Sequence, residues 1–133
     1  MKKTYSDLFV LIVNLNANIK DGKTKLEKKL LKIGDRIKKH SEEYEDKKSD
    51  IMLDNASVDK DNVLLTDEKG NYRYSIEGLK KRNSQLKSLI EEEFDFTPIP
   101  VINPEGLEKL TFLKDWVSGV DFVEEEKEEE VEL

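Results

Sequence analysis

The sequence predicts a mainly α protein: a long antiparallel helical hairpin plus a third helix, with a small β-hairpin and an extended proline-containing strap. Three observations carry this. Apolar residues recur every three or four positions over most of residues 4–51. Charged residues make up 40% of the 133 positions against 36% hydrophobic, a balance that suits long solvated helices. Pro98 and Pro100 then interrupt an apolar run and forbid a central strand there.

The first helix is expected over residues 4–19, where Tyr5, Leu8, Phe9, Ile12, Leu15 and Ile19 share helical spacing. Val10, Leu11 and Val13 thicken that stripe, so the helix is expected to be buried on more than one side. A strand over residues 8–13 is the competing reading, because six consecutive apolar residues lack periodicity. Asp21-Gly22 marks a turn. The second helix is expected from Thr24 to about Lys48, roughly 38 Å long. Leu26, Leu30, Ile33, Ile37, His40, Tyr44, Lys47 and Ile51 form its heptad-like, coiled-coil seam, with His40 and Lys47 as polar interruptions.

Residues 63–65 and 72–74 flank a Gly70-Asn71 turn and read as a small hairpin. Ser75 caps a third helix whose apolar face is Ile76, Leu79, Leu86, Leu89 and Ile90, oriented to run antiparallel to the long one. Residues 94–102 form the strap. Asn103-Pro104-Glu105 reads as the start of a short terminal helix carrying Leu107, Leu110, Leu113, Trp116 and Val117 and stopping near Gly119. No internal repeat is apparent. Residues 1–123 are expected to be a single helical domain and residues 124–133 a disordered acidic tail.

Charge is unevenly placed. Residues 1–48 carry 13 basic and 8 acidic side chains, net +5; residues 49–123 carry 9 and 15, net −6; residues 124–133 add seven Glu and one Lys. The overall −7 therefore describes a polarised body plus an acidic terminus. With no Cys, a disulfide scaffold, thiol catalysis and Cys-ligated metals are excluded. No apolar stretch approaches the roughly 18–20 residues of a membrane span.

Residues 17–24 fit the permissive A-x-x-x-x-G-K-T form of a phosphate loop, with Ala17, Gly22, Lys23 and Thr24 at the defining positions. In such a site Lys23 would reach phosphates, Thr24 and Asp67 would hold Mg²⁺ and Glu68 would orient water. Ile19 inside the loop, a single Gly, a carboxylate at Asp21 and the lack of continuous apolar strands for a parallel sheet all speak against it. It stands as a minor alternative. His40 is the only His, and on an apolar seam it reads as a packed residue, not a base or ligand. The basic flank Lys25, Lys29, Lys32, Arg36 and Lys39 has no interleaved aromatics, so it is expected to face acids such as Glu91 to Glu93, or a partner's, ahead of nucleic acid.

The run Leu65-Thr66-Asp67-Glu68-Lys69-Gly70-Asn71-Tyr72-Arg73-Tyr74, followed by Glu77-Gly78-Leu79-Lys80-Lys81-Arg82 and a proline-containing stretch, resembles small bacteriophage helical-hairpin proteins of unknown function. The resemblance implies an accessory or structural phage protein, either a virion component or a factor acting in the host cytoplasm. It supplies no active-site residues. The resulting expectation is a non-catalytic protein that acts through contacts with other phage proteins or itself. No cofactor, metal, membrane or small-molecule substrate is expected; a host-directed inhibitor or nucleic-acid mimic is the alternative. The expected partner-binding residues are His40, Tyr44 and Ile51 on the long helix, and Phe94, Phe96 and Trp116 around the strap.

Overall fold

The computed structural model describes residues 1–123; the disordered tail expected at residues 124–133 lies outside the described residues. The elements in order are β1 (Lys2–Thr4), α1 (Tyr5–Ala17), α2 (Lys25–Asp54), α3 (Ile76–Ile90), β2 (Glu93–Asp95), β3 (Ile99–Pro100), a 3₁₀ turn at Thr111–Leu113 and β4 (Val117–Ser118). The chain is mainly helical, as its periodicity predicts, with two two-stranded sheets among the described residues, β1–β2 antiparallel and β3–β4 parallel. Among the described residues, no helix is long and apolar enough to cross a membrane.

Each helix starts on a hydroxyl cap. Thr4 and Asp7 exchange bonds, Asp7 N–H to Thr4 Oγ1 at 3.0 Å and Thr4 N–H to Asp7 Oδ2 at 2.9 Å. Thr24 and Glu27 do the same at the head of α2, and Ser75 Oγ accepts from Gly78 N–H at 2.9 Å on α3. The strand alternative for residues 8–13 is excluded: Tyr5, Leu8, Leu11 and Leu15 are buried at spacings of three and four, a helical rhythm. Burial on more than one side is corrected too, since Val10 and Val13 are 60% and 67% exposed. Helix α2 is longer than expected, 30 residues or about 45 Å, ending at Asp54.

The described chain divides into two compact units. Unit 1 comprises Met1, residues 10–36 and the segment from Phe96; unit 2 comprises residues 2–9 and 37–95. In unit 2, β1 pairs antiparallel with β2, Lys3 opposite Phe94, and the first turns of α1 set Tyr5 and Phe9 against Tyr44 of α2. Helix α3 returns antiparallel to α2: its first turn lies at Asn55, whose Nδ2 also donates to Gln85 Oε1 at 2.7 Å, and just beyond its end Glu92 pairs with Lys47 at 2.9 Å.

The hairpin between α2 and α3 is real but narrow, and it has a twin. Thr66 bridges Tyr72 across the Gly70 turn, while Val58 bridges Leu64 across a preceding one. Asp67 accepts the N–H groups of Lys69 and Asn71; Asp59 accepts those of Asp61 and Val63 in the same pattern. The fourth turn residue is left-handed in both, Asn62 at φ 66° and Gly70 at φ 82°. Ser57, Leu65 and Arg73, eight apart, close a ring of backbone bonds: Leu65 N–H to Ser57 O, Arg73 N–H to Leu65 O and Ser57 N–H to Arg73 O. An eight-residue structural repeat is therefore present where sequence inspection finds none.

In unit 1, β3 pairs in parallel with β4, Ile99 opposite Val117, and Phe96 packs edge-on against Trp116 at 4.9 Å. The strap is thus a short edge strand, as its prolines require. The terminal helix does not form. Leu107, Leu110, Leu113 and Trp116 each donate to the residue three earlier, giving a string of single turns. Gly106 at φ 90° and Asp115 at φ 69° break helical geometry at either end, and Val117 is taken by β4.

Candidate interaction surfaces

The loop that resembles a phosphate cradle is already filled. Glu27 is only 6% exposed, and its carboxylate accepts the N–H of Lys20, the N–H of Thr24 at 3.1 Å and the Thr24 hydroxyl at 3.0 Å. The Lys20 and Thr24 N–H bonds hold its pKa at about 2, far below the ordinary 4.5. The Lys20, Lys23 and Thr24 N–H groups of the loop are therefore engaged by its own carboxylates, Glu27 and Asp21. The Thr24-x-x-Glu27 pattern is a capping box, and it explains G-K-T followed by a helix without any ligand. Asp67, the magnesium acid of that reading, is likewise engaged by the N–H groups of Asn71 and Lys69, which lower its pKa.

The six residues expected to bind a partner fall into separate places. His40, Tyr44 and Phe94 belong to one aromatic cluster in unit 2. His40 stacks on Phe94 at 4.4 Å, Phe94 lies 5.2 Å from Tyr5, and Tyr5 lies 5.4 Å from Tyr44. Phe9 meets Tyr44 edge-on at 4.6 Å. The His40 Nδ1 is 3.3 Å from Glu43 Oε1. Lys47 sits over the Tyr5 ring at 5.4 Å, and its bond to Glu92 raises its pKa, while burial raises that of Tyr44. Phe96 and Trp116 pair in unit 1, and Ile51 is half-buried apart from these ring contacts. Tyr44, Phe96 and Trp116 are buried, so these side chains pack interiors and do not present a surface. The acids expected opposite the basic flank are placed otherwise: Glu92 takes Lys47, and Lys29 Nζ donates to the Glu105 carbonyl at 2.7 Å.

Exposed apolar surface lies elsewhere. On α1, Val10, Val13 and Ala17 occupy positions i, i+3 and i+7 of one solvent-facing stripe. On α3, Ile76 is 78% exposed with Leu79 one turn on, although sequence periodicity assigned both to a buried face. Unit 1 also holds a groove of about 340 Å³ between one flank of α2 and the strap. Buried Ile33, Ile99 and Leu107 line it, and Lys29, Lys32 and Arg36 stand along its α2 side. The i, i+3, i+7 spacing of those cations was visible in the sequence; the apolar wall opposite was not. Comparison of the chain with protein-family models, curated proteins and solved structures found no match.

Proposed function

We propose that this is a non-catalytic interaction protein, an accessory or structural phage component that works through contacts with other phage proteins or with itself, in the virion or the host cytoplasm. The supporting observation is the apolar stripe Val10, Val13 and Ala17, left facing solvent by a helix whose opposite face is fully used in packing. Uncovering two Val side chains costs hydrophobic free energy that a contact recovers, at roughly 25 cal/mol per Å² of apolar surface buried. The phage assignment draws its support from the pattern shared with small phage hairpin proteins, above all residues 65–74.

Static light scattering tests the interaction role directly. The protein is expected to scatter above its 15.5 kDa monomer mass, alone or with lysate from phage-infected cells, and the V10E/V13E variant to lose that excess while keeping its helical circular dichroism. A monomer under both conditions, unchanged by the double substitution, would refute the role of this stripe. Mass spectrometry of purified virions separates a particle component from a factor that stays in the host.

A further inference from the structure

We infer that the unit 1 groove is a docking site for an extended acidic peptide of another protein, one with an aliphatic anchor between its carboxylates. This goes beyond the helix-stripe contact proposed above and uses a different surface. The groove's floor is apolar, formed by buried Ile33, Ile99 and Leu107. Ile102, on its lip, is 92% exposed, an arrangement that favours a second apolar group laid against it. About 340 Å³ sits at the small end of the roughly 300–1,000 Å³ typical of concave sites, so it takes one or two aliphatic side chains and not a folded element.

The charges choose the rest of the occupant. Lys29, Lys32 and Arg36 follow one another along α2 over about 10 Å at 1.5 Å per residue. An extended chain covers that distance in about three residues, so carboxylates flanking an anchor match the cations, whereas a single carboxylate on a small amphiphile meets one. Among the described residues none of the three forms an ion pair, and Lys29, which gives one bond to the Glu105 carbonyl, keeps two further donors. Complementarity is reinforced by residues 10–36 of the same unit, which carry 7 basic and 3 acidic side chains, net +4. Pro100 has no N–H to add to a sheet, so the peptide is held by side chains and not as an added strand. The lining contains no aromatic residue on which a base could stack, which favours a peptide over single-stranded nucleic acid.

Fluorescence anisotropy of the full chain with a labelled synthetic peptide, Glu residues flanking an Ile-x-Leu anchor, tests this. Saturable binding is expected, weakened at least about tenfold by K32E/R36E, by I102D, by Glu→Gln in the peptide and by Ala in place of its anchor. Lys32, Arg36 and Ile102 are exposed, so these variants keep the fold, which circular dichroism verifies. No saturation by about 1 mM peptide, equal affinity for wild type and K32E/R36E, or tighter binding of a single-stranded oligonucleotide at the same site would each overturn the inference. The light-scattering excess tied to Val10 and Val13 is unaffected by these outcomes, so the two readings fail separately.

Discussion

Two glycines within helices have opposite reasons to be there. At Gly34, inside α2, a Cβ would meet nothing within 4 Å. Its only effect there is the backbone entropy it costs, so Gly34→Ala is expected to stabilise by about 0.5–1 kcal/mol. At Gly78 a Cβ would sit 2.7 Å from the backbone oxygen of Asn55 and 3.1 Å from Ser75 Oγ. Helix α3 approaches the end of α2 closely only because that position has no side chain. Gly78→Ala is therefore expected to cost about 1–3 kcal/mol through overpacking, despite alanine's better helix propensity. Urea unfolding of both variants reads the contrast, and shifts of the same sign would contradict this account. The helices around these glycines are legible from periodicity alone. The distinction between the glycines is not, because Asn55 and Gly78 are brought together only by the intervening turns.

At the scale of elements, what the sequence discloses depends on whether the deciding interaction is local. Capping boxes span three residues, and Thr4-x-x-Asp7 and Thr24-x-x-Glu27 were both there to be read; the second was obscured by its match to a phosphate loop. Thr24→Ala is expected to cost about 1 kcal/mol by freeing the N-terminal donors of α2, measurable as a lowered Tm. Glu27→Gln keeps the side-chain shape but removes the charge that two N–H groups and a hydroxyl solvate, so it too is expected to lower Tm. A Tm increase on adding Mg·ATP would show that the loop accepts phosphate despite its internal carboxylate, against the present reading. By contrast, β1–β2 joins residues about ninety positions apart, and no local pattern announces it. The terminal segment misleads differently. Its leucines recur every three residues, close enough to 3.6 to suggest a helix, yet three is also the period of successive single turns, and Gly106 at positive φ selects the latter. Of the expected site residues, Tyr44, Phe96 and Trp116 are buried for a related reason: aromatic and apolar spacing marks a face, but not whether another segment covers it. Tyr44 and Trp116 are covered; Val10 and Ile76 are not.

For the whole molecule, the polarised charge map predicts how stability responds to pH and salt. Glu27, Asp67 and Asp95 have folded pKa values below their ordinary ones, Glu27 at about 2 through the Lys20 and Thr24 N–H groups, Asp67 through Asn71 and Asp95 through Lys2. Below an ordinary value the unfolded chain binds protons that the folded one resists, so the stability these groups contribute is complete above about pH 4.5 and lost as pH falls toward 2. Lys2 and Lys47 have raised values, through bonds to Asp95 and Glu92, and burial raises Tyr44. There the folded state holds protons longer, so stability is intact below about pH 10 and declines as pH rises through the folded values. The contribution of these six groups is therefore level between roughly pH 4.5 and 10. Salt separates the surface pairs from the capping box. Lys2–Asp95 and Lys47–Glu92 are exposed pairs that about 0.5 M salt screens, whereas Glu27 is buried among fixed N–H donors that salt does not reach. Urea unfolding at about pH 3 and 6 is therefore expected to show a stability loss on acidification that persists in high salt and is smaller in Glu27→Gln than in wild type. A loss abolished by salt would place the acid sensitivity on the surface pairs, and equal, salt-resistant losses in the two proteins would place it on Asp67 and not in the capping box of α2.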